Sequence, residues 1–154
     1  SSAASDVYKR QIQSNKTAEL AALFDWVHSV DRPKIARRLS AHRSPSSPPL
    51  NVCIQVNISG ESTKNGVIPT DLPMLIDTIS GLPHLNLRGL MALPAPDPIF
   101  SQQRKTFALL RELARSHPPT FDQLSMGMTS DYAWAILEGA TMIRVGSAIF
   151  GARQ

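Results

Sequence analysis

Apolar positions along this chain fall into two alternating periods. Leu72, Leu75, Ile76 and Ile79 follow the i, i+3, i+4, i+7 rule of a helix with one buried face. Phe107, Leu110 and Ala114 form one stripe of a second helix, over about 99–116. A shorter pattern, with Leu20 and Leu23 on one face, predicts a helix from Asn15 to about Phe24. Asp31 and Pro33 open a helix that turns Ile35 and Leu39 inward, and Ser130 opens a short one carrying Ala133, Ile136 and Leu137.

Between these stretches lie short apolar runs of strand length. They are Trp26–Val30, Leu50–Ile58, Leu85–Leu93, Phe121–Met126 and Met142–Phe150. Prolines at 45, 48 and 49 mark a loop, as do Pro94 and Pro96. The order α β α β α β α β α β implies parallel strands joined by right-handed helical crossovers. A doubly wound open sheet and a (β/α)₈ barrel both fit it. No Gly-x-Gly-x-x-Gly follows any strand, which weakens the dinucleotide-binding version of the open sheet.

The strand ends carry the candidate chemistry. Asn57 and Ser59, Met91 and Pro94, Ser125 and Gly127, and Gly146 and Ser147 each sit where a strand gives way to a loop. Barrel sites are built at that rim, and the last two strand ends commonly hold a phosphate. Small residues let backbone N–H groups approach an anion, and hydroxyls donate to it. Arg144 stands inside an apolar strand, where a charge needs a fixed partner. That partner is either a carboxylate in a structural ion pair or a ligand atom.

Composition narrows the field. The 154 residues are 42% hydrophobic and 18% charged, as in an ordinary globular domain. The net charge of +4 is scattered, with no basic and aromatic stripe, so nucleic acid is not the expected partner. No apolar run reaches the ~18 residues of a membrane span. Cys53 is the only cysteine and lies in an apolar run, so it reads as a small buried hydrophobe in a chain from a reducing compartment. The four histidines lack metal-like spacing, and His28 reads as a core or rim residue of its strand. Ser125 is not in a Gly-x-Ser-x-Gly elbow. Residues 1–11 are small, polar and aperiodic; they read as a non-native, disordered leader, a scar of sequence assembly.

Several separated motifs resemble one family. They are Gln13-Ser14-Asn15-Lys16, the run from Asn51 to Ser59, Leu87-Arg88-Gly89-Leu90-Met91-Ala92-Leu93-Pro94-Ala95-Pro96, Leu124-Ser125-Met126-Gly127-Met128, and the run from Gly139 to Arg153. In this order they resemble the pyridoxal phosphate homeostasis proteins of the YggS/PROSC type, which are related to the barrel domain of alanine racemase. The resemblance covers about residues 12–154. It implies an α/β fold, a partial TIM (β/α)₈ barrel made of its last five strand units, and a cytoplasmic protein that binds pyridoxal 5′-phosphate (PLP) as a carrier or regulator without catalytic turnover.

By the same resemblance, Ser125 and the Gly146–Ser147 pair hold the PLP phosphate, and Met126 and Gly127 supply nearby backbone. Arg144 faces the pyridine nitrogen, and Asn57 belongs to the same cofactor-binding set. The family usually has Thr where this chain has Ser147. The family's Schiff-base lysine and two further motifs before Gln13 have no counterpart here. The expectation is therefore a chain lacking three front strand–helix units and the covalent anchor. Lys64 reads as a solvated surface lysine. Two unpaired strand edges would make such a fragment prone to association, whereas the full-length product is expected to be a monomer. The alternatives are a PLP-dependent racemase or decarboxylase, and a barrel for another phosphorylated metabolite.

Overall fold

The structure, a computed structural model, describes residues 7–8, 10–60, 62, 65–117 and 121–146. Five strands stand where the apolar runs predict them: β2 (Trp26–Val30), β3 (Leu50–Gln55), β4 (Leu85–Met91), β5 (Gln123–Met128) and β6 (Met142–Arg144). Helices α1 (Thr17–Leu23), α2 (Pro33–His42), α3 (Leu72–Ser80), α4 (Phe100–Arg115) and α5 (Tyr132–Leu137) alternate with them. A further strand, β1 (Val7–Tyr8), pairs in parallel with Trp26–Val27. These two residues fall in the stretch expected to be disordered. They are paired because their backbone can extend the free edge of β2, and Tyr8 rests edge-on against Phe24, with ring centroids 5.4 Å apart.

All pairings are parallel, and the strands lie in the order β1-β2-β3-β4-β5-β6. A doubly wound sheet reverses its strand order at a switch point; a barrel never does. The sheet is therefore an arc of a barrel.

Alternation along each strand divides the side chains between two faces. Val52, Ile54, Val56, Leu90, Ala92 and Met126 point to the helices and join one core with Leu75, Ile79, Phe107 and Leu110. The opposite face is polar but equally closed to water: His28, Cys53, Gln55, Met91 and Ser125 are all buried there. The register places Gln55, Met91, Ser125 and Met142 in one row across four strands. Toward the other end of this face, Arg88 lies 4.7 Å over the Trp26 ring, bonds Asn51 Oδ1 and pairs with Asp122 at 2.6 Å.

Helix starts differ from expectation. Asn15, Asp31 and Ser130 are not the N-caps; Lys16, Arg32 and Asp131 hold those positions, as Asp71 does for α3, and none makes a side-chain cap bond. Short 3₁₀ turns at Ser14–Lys16 and Pro69–Asp71 precede α1 and α3, which moves the true helix start past the hydroxyl or amide. Asp31 instead pairs with Arg32 at 2.8 Å. Leu23, Ile136 and Leu137 are exposed, and Ala135 is the residue α5 buries. In a helix of so few turns, burial follows close approach to the sheet more than apolar character.

Candidate functional site

Ser125 occupies the interior face of β5, fully buried. Two side chains from opposite sides of the arc meet its hydroxyl. Arg144 Nη1, from β6, donates to Ser125 Oγ at 2.8 Å. His28 Nδ1, from β2, lies 2.9 Å from the same oxygen. Strands β2 and β5 are separated by β3 and β4, so the contact exists only because the sheet curls on itself.

The Arg144 head therefore points into the arc. Its Nη2 donates to the Ala92 carbonyl at 2.8 Å, at the end of β4. Both partners are neutral, and among the described residues Arg144 forms no salt bridge. Its buried Nε has no hydrogen-bond partner among them. Burial brings its pKa down to about 10, with Asp131 opposing the shift from a distance, so the guanidinium stays charged at neutral pH. Of the two readings open from sequence, the structural ion pair finds no carboxylate bonded to Arg144 among the described residues.

The other described candidate residues lie at or near neighbouring strand ends. Gly127 follows at the mouth of β5 with φ +102°, and a Cβ there would lie 2.8 Å from Ala135 Cβ. Glycine is thus demanded by the packing of α5 as well as allowing backbone approach. The side chain of Met126 belongs to the helix-side core, which leaves only its backbone for a ligand. Gly146 is exposed and open: a Cβ there would meet nothing within 4 Å. Ser147 and Lys64 lie outside the described residues. Asn57 is buried just past β3, where its N–H donates to Val67 O at 2.9 Å. It lies on the same rim as Arg144 but on the far side of β4, beside a hollow of about 10 Å³ that is too small for a cofactor.

Two features escaped the sequence. One is that the hydroxyl of Ser125, expected to hold the phosphate, is also within bonding distance of Arg144 and His28. No local signal could have paired residues 97 positions apart. The mouth of β5 is also braced from behind, because Asp131 accepts from Met128 N at 2.6 Å and from Gln103 Nε2 at 2.7 Å. With Met128 opposite Arg144, the Thr129–Ser130 turn is set beside Val145–Gly146. Cys53 is buried as expected, and burial pushes its thiol up to about 12, so it is not a nucleophile.

Over most of its length the chain resembles known proteins. The chain is 56% identical over 143 residues to a pyridoxal phosphate homeostasis protein of Pseudomonas aeruginosa, covering 93% of this chain and 62% of that protein. It is 45% identical over 149 residues to the protein of that name from Escherichia coli, again covering 93% and 62%. The chain thus spans a little over three-fifths of the length of these relatives. Among solved structures, PipY of Synechococcus elongatus, with PLP bound, superposes with a TM-score of 0.81 at 35% identity, covering 92% of this chain and 68% of that one. Alanine racemase of E. faecalis superposes at 0.70 with 15% identity and so shares the fold. Residues 4–154 match the N-terminal domain of alanine racemase. The chain belongs to the alanine racemase N-terminal domain family.

Proposed function

We propose that this chain forms part of a PLP-binding barrel whose task is to carry or regulate the cofactor inside the cell. The observation that carries the reading is Arg144: a charged, half-buried guanidinium at the strand mouths which, among the described residues, bonds only neutral oxygens and leaves its buried Nε unpartnered. A cation partly withdrawn from water in that condition favours an electron-rich or anionic ligand atom beside it.

In this reading Arg144 faces the pyridine nitrogen. Ser125 braces the guanidinium from within the arc. The backbone of Met126 and Gly127 and the Gly146–Ser147 pair take the phosphate at the adjoining strand ends, with Asn57 across the rim. Bound PLP supplies an electron-withdrawing ring, strongest when its nitrogen carries a proton. Arg144 can only donate, so it leaves that nitrogen unprotonated. The arrangement therefore suits holding the cofactor better than driving carbanion chemistry, and we assign no turnover to it. The names of the similar bacterial proteins and the PLP bound in PipY support the same assignment. The buried, free Cys53 supports a cytoplasmic location.

Titration of the full chain with PLP, followed by equilibrium dialysis, tests this. Saturable binding without conversion of amino acids is expected, and Arg144→Met should weaken binding by about tenfold or more, the value of one charge-assisted contact. Conversion of amino acids would establish the enzyme reading instead. Preference for a phosphorylated metabolite without a pyridine ring would establish the third.

A further inference from the structure

His28 is fully buried, yet it offers a polar ring atom to the barrel interior. Its Nδ1 lies 2.9 Å from Ser125 Oγ, the oxygen that also receives Arg144. The direction of the chain follows from donor counts. Arginine has no acceptor, so the Arg144–Ser125 bond must run from guanidinium to hydroxyl. The hydroxyl has one proton left to give, and a neutral Nδ1 can take it. That order, Arg144 N–H to Ser125 O–H to His28 Nδ1, runs head to tail, and each bond polarises the next. The neutral ring protonated at Nδ1 would put two donors on Oγ and leave the hydroxyl proton with no acceptor among the described residues, and a doubly protonated ring would place imidazolium charge one hydroxyl away from a guanidinium. The neutral ring protonated at Nε2 is therefore the form that fits.

The geometry points to His28 as a positioning residue for Arg144: through Ser125 Oγ it fixes the guanidinium in the pose that meets the pyridine ring, and so helps set the affinity for PLP. This deepens the function proposed above and rests on it. Without the histidine, Ser125 Oγ can rotate, and one of the two bonds that fix the Arg144 head loses its orientation. The other bond, to Ala92 O, leaves the plane of the guanidinium free to turn about it. His28 does this from β2, on the far side of the arc from β6.

The test uses the full chain and two ligands: PLP and its deaza analogue, in which carbon replaces the ring nitrogen. His28→Phe keeps the ring volume and removes the acceptor. We expect it to weaken PLP about tenfold while leaving the analogue within about twofold of its affinity for the unaltered protein. His28→Asn, whose Oδ1 can accept from Ser125, should recover most of the loss. In an Arg144→Met background His28→Phe should add nothing, since the two residues act as one unit. Equal weakening of both ligands, or effects of His28→Phe and Arg144→Met that simply add, would overturn the inference and reduce His28 to a packing residue. If His28→Phe does not fold, Ser125→Ala cuts the chain at its middle and must show the same selectivity between ligands. Failure of the unaltered protein to bind PLP would remove the proposed function itself; normal binding with unselective variants would remove only the role of His28.

Discussion

Arg144 shows how a single residue can be informative and incomplete at once. A cation inside an apolar strand is legible without coordinates, because its desolvation cost demands a partner. Which partner it has is not legible, because Ser125 and Ala92 lie 19 and 52 positions away. Gly89 makes the same point through backbone. It follows a register shift in which β4 carries one residue more than β3, with Val52 opposite Leu87 and Cys53 opposite Gly89. A Cβ at Gly89 would stand 1.8 Å from the Gln123 carbonyl oxygen, a backbone atom that cannot yield without parting β4 from β5. Gly89→Ala should therefore cost about 3 kcal/mol or more, read as a lower urea midpoint. A midpoint like that of the unaltered protein would show that the strands separate freely at this point. In sequence Gly89 reads only as a small residue in a strand.

At the scale of elements, the strand and helix periods are well written in the chain, and the element ends are not. The stripe Phe107, Leu110 and Ala114 is buried on α4 as the periodicity requires, and so is Leu72, Leu75, Ile76 and Ile79 on α3. The ends are governed by partners brought from elsewhere. The C-terminal carbonyls of α1 are a case: Arg43, buried just after α2, donates to Ala21 O and Phe24 O at 2.8 Å and to Pro48 O at 2.9 Å. One side chain thus closes α1, the turn into β2 and the proline loop together. Arg43→Met should leave three carbonyls unsatisfied and cost about 3 kcal/mol in urea unfolding, with the slope unchanged. Arg43→Lys should recover only part, because an ammonium cannot fork to three acceptors at those angles. Equal stability of Arg43→Met and the unaltered protein would contradict this account.

At the scale of the molecule, two helices are tied to the end of the arc by one carboxylate. Glu138, nearly buried past α5, pairs with Arg104 at 2.6 Å and Arg111 at 2.5 Å on α4. The hydrogen bond from Arg104 holds its carboxyl below the ordinary value, with Arg111 assisting. A depressed folded-state pKa stabilises the fold above the unfolded carboxyl range and loses that contribution as pH falls through it. Thermal midpoints should therefore drop as the solution is acidified below about pH 4, the ordinary glutamate range. Glu138→Gln should lie a few degrees lower at neutral pH and converge with the unaltered protein in acid. A constant gap across pH would assign the effect to packing. The sequence by itself determined the alternation of strands and helices, their parallel pairing, the faces of α3 and α4, and the rim where small residues and Arg144 gather. These follow from periodicity, turn chemistry and the cost of burying charge, all of which act within a few residues. Only the tertiary structure decided that the interior face is polar, that Ser125 is the meeting point of His28 and Arg144, and that Asp131 braces β5 instead of capping α5 with its side chain. Those facts depend on curvature, which brings β2 to face β5 across two intervening strands, and no window along the chain contains it.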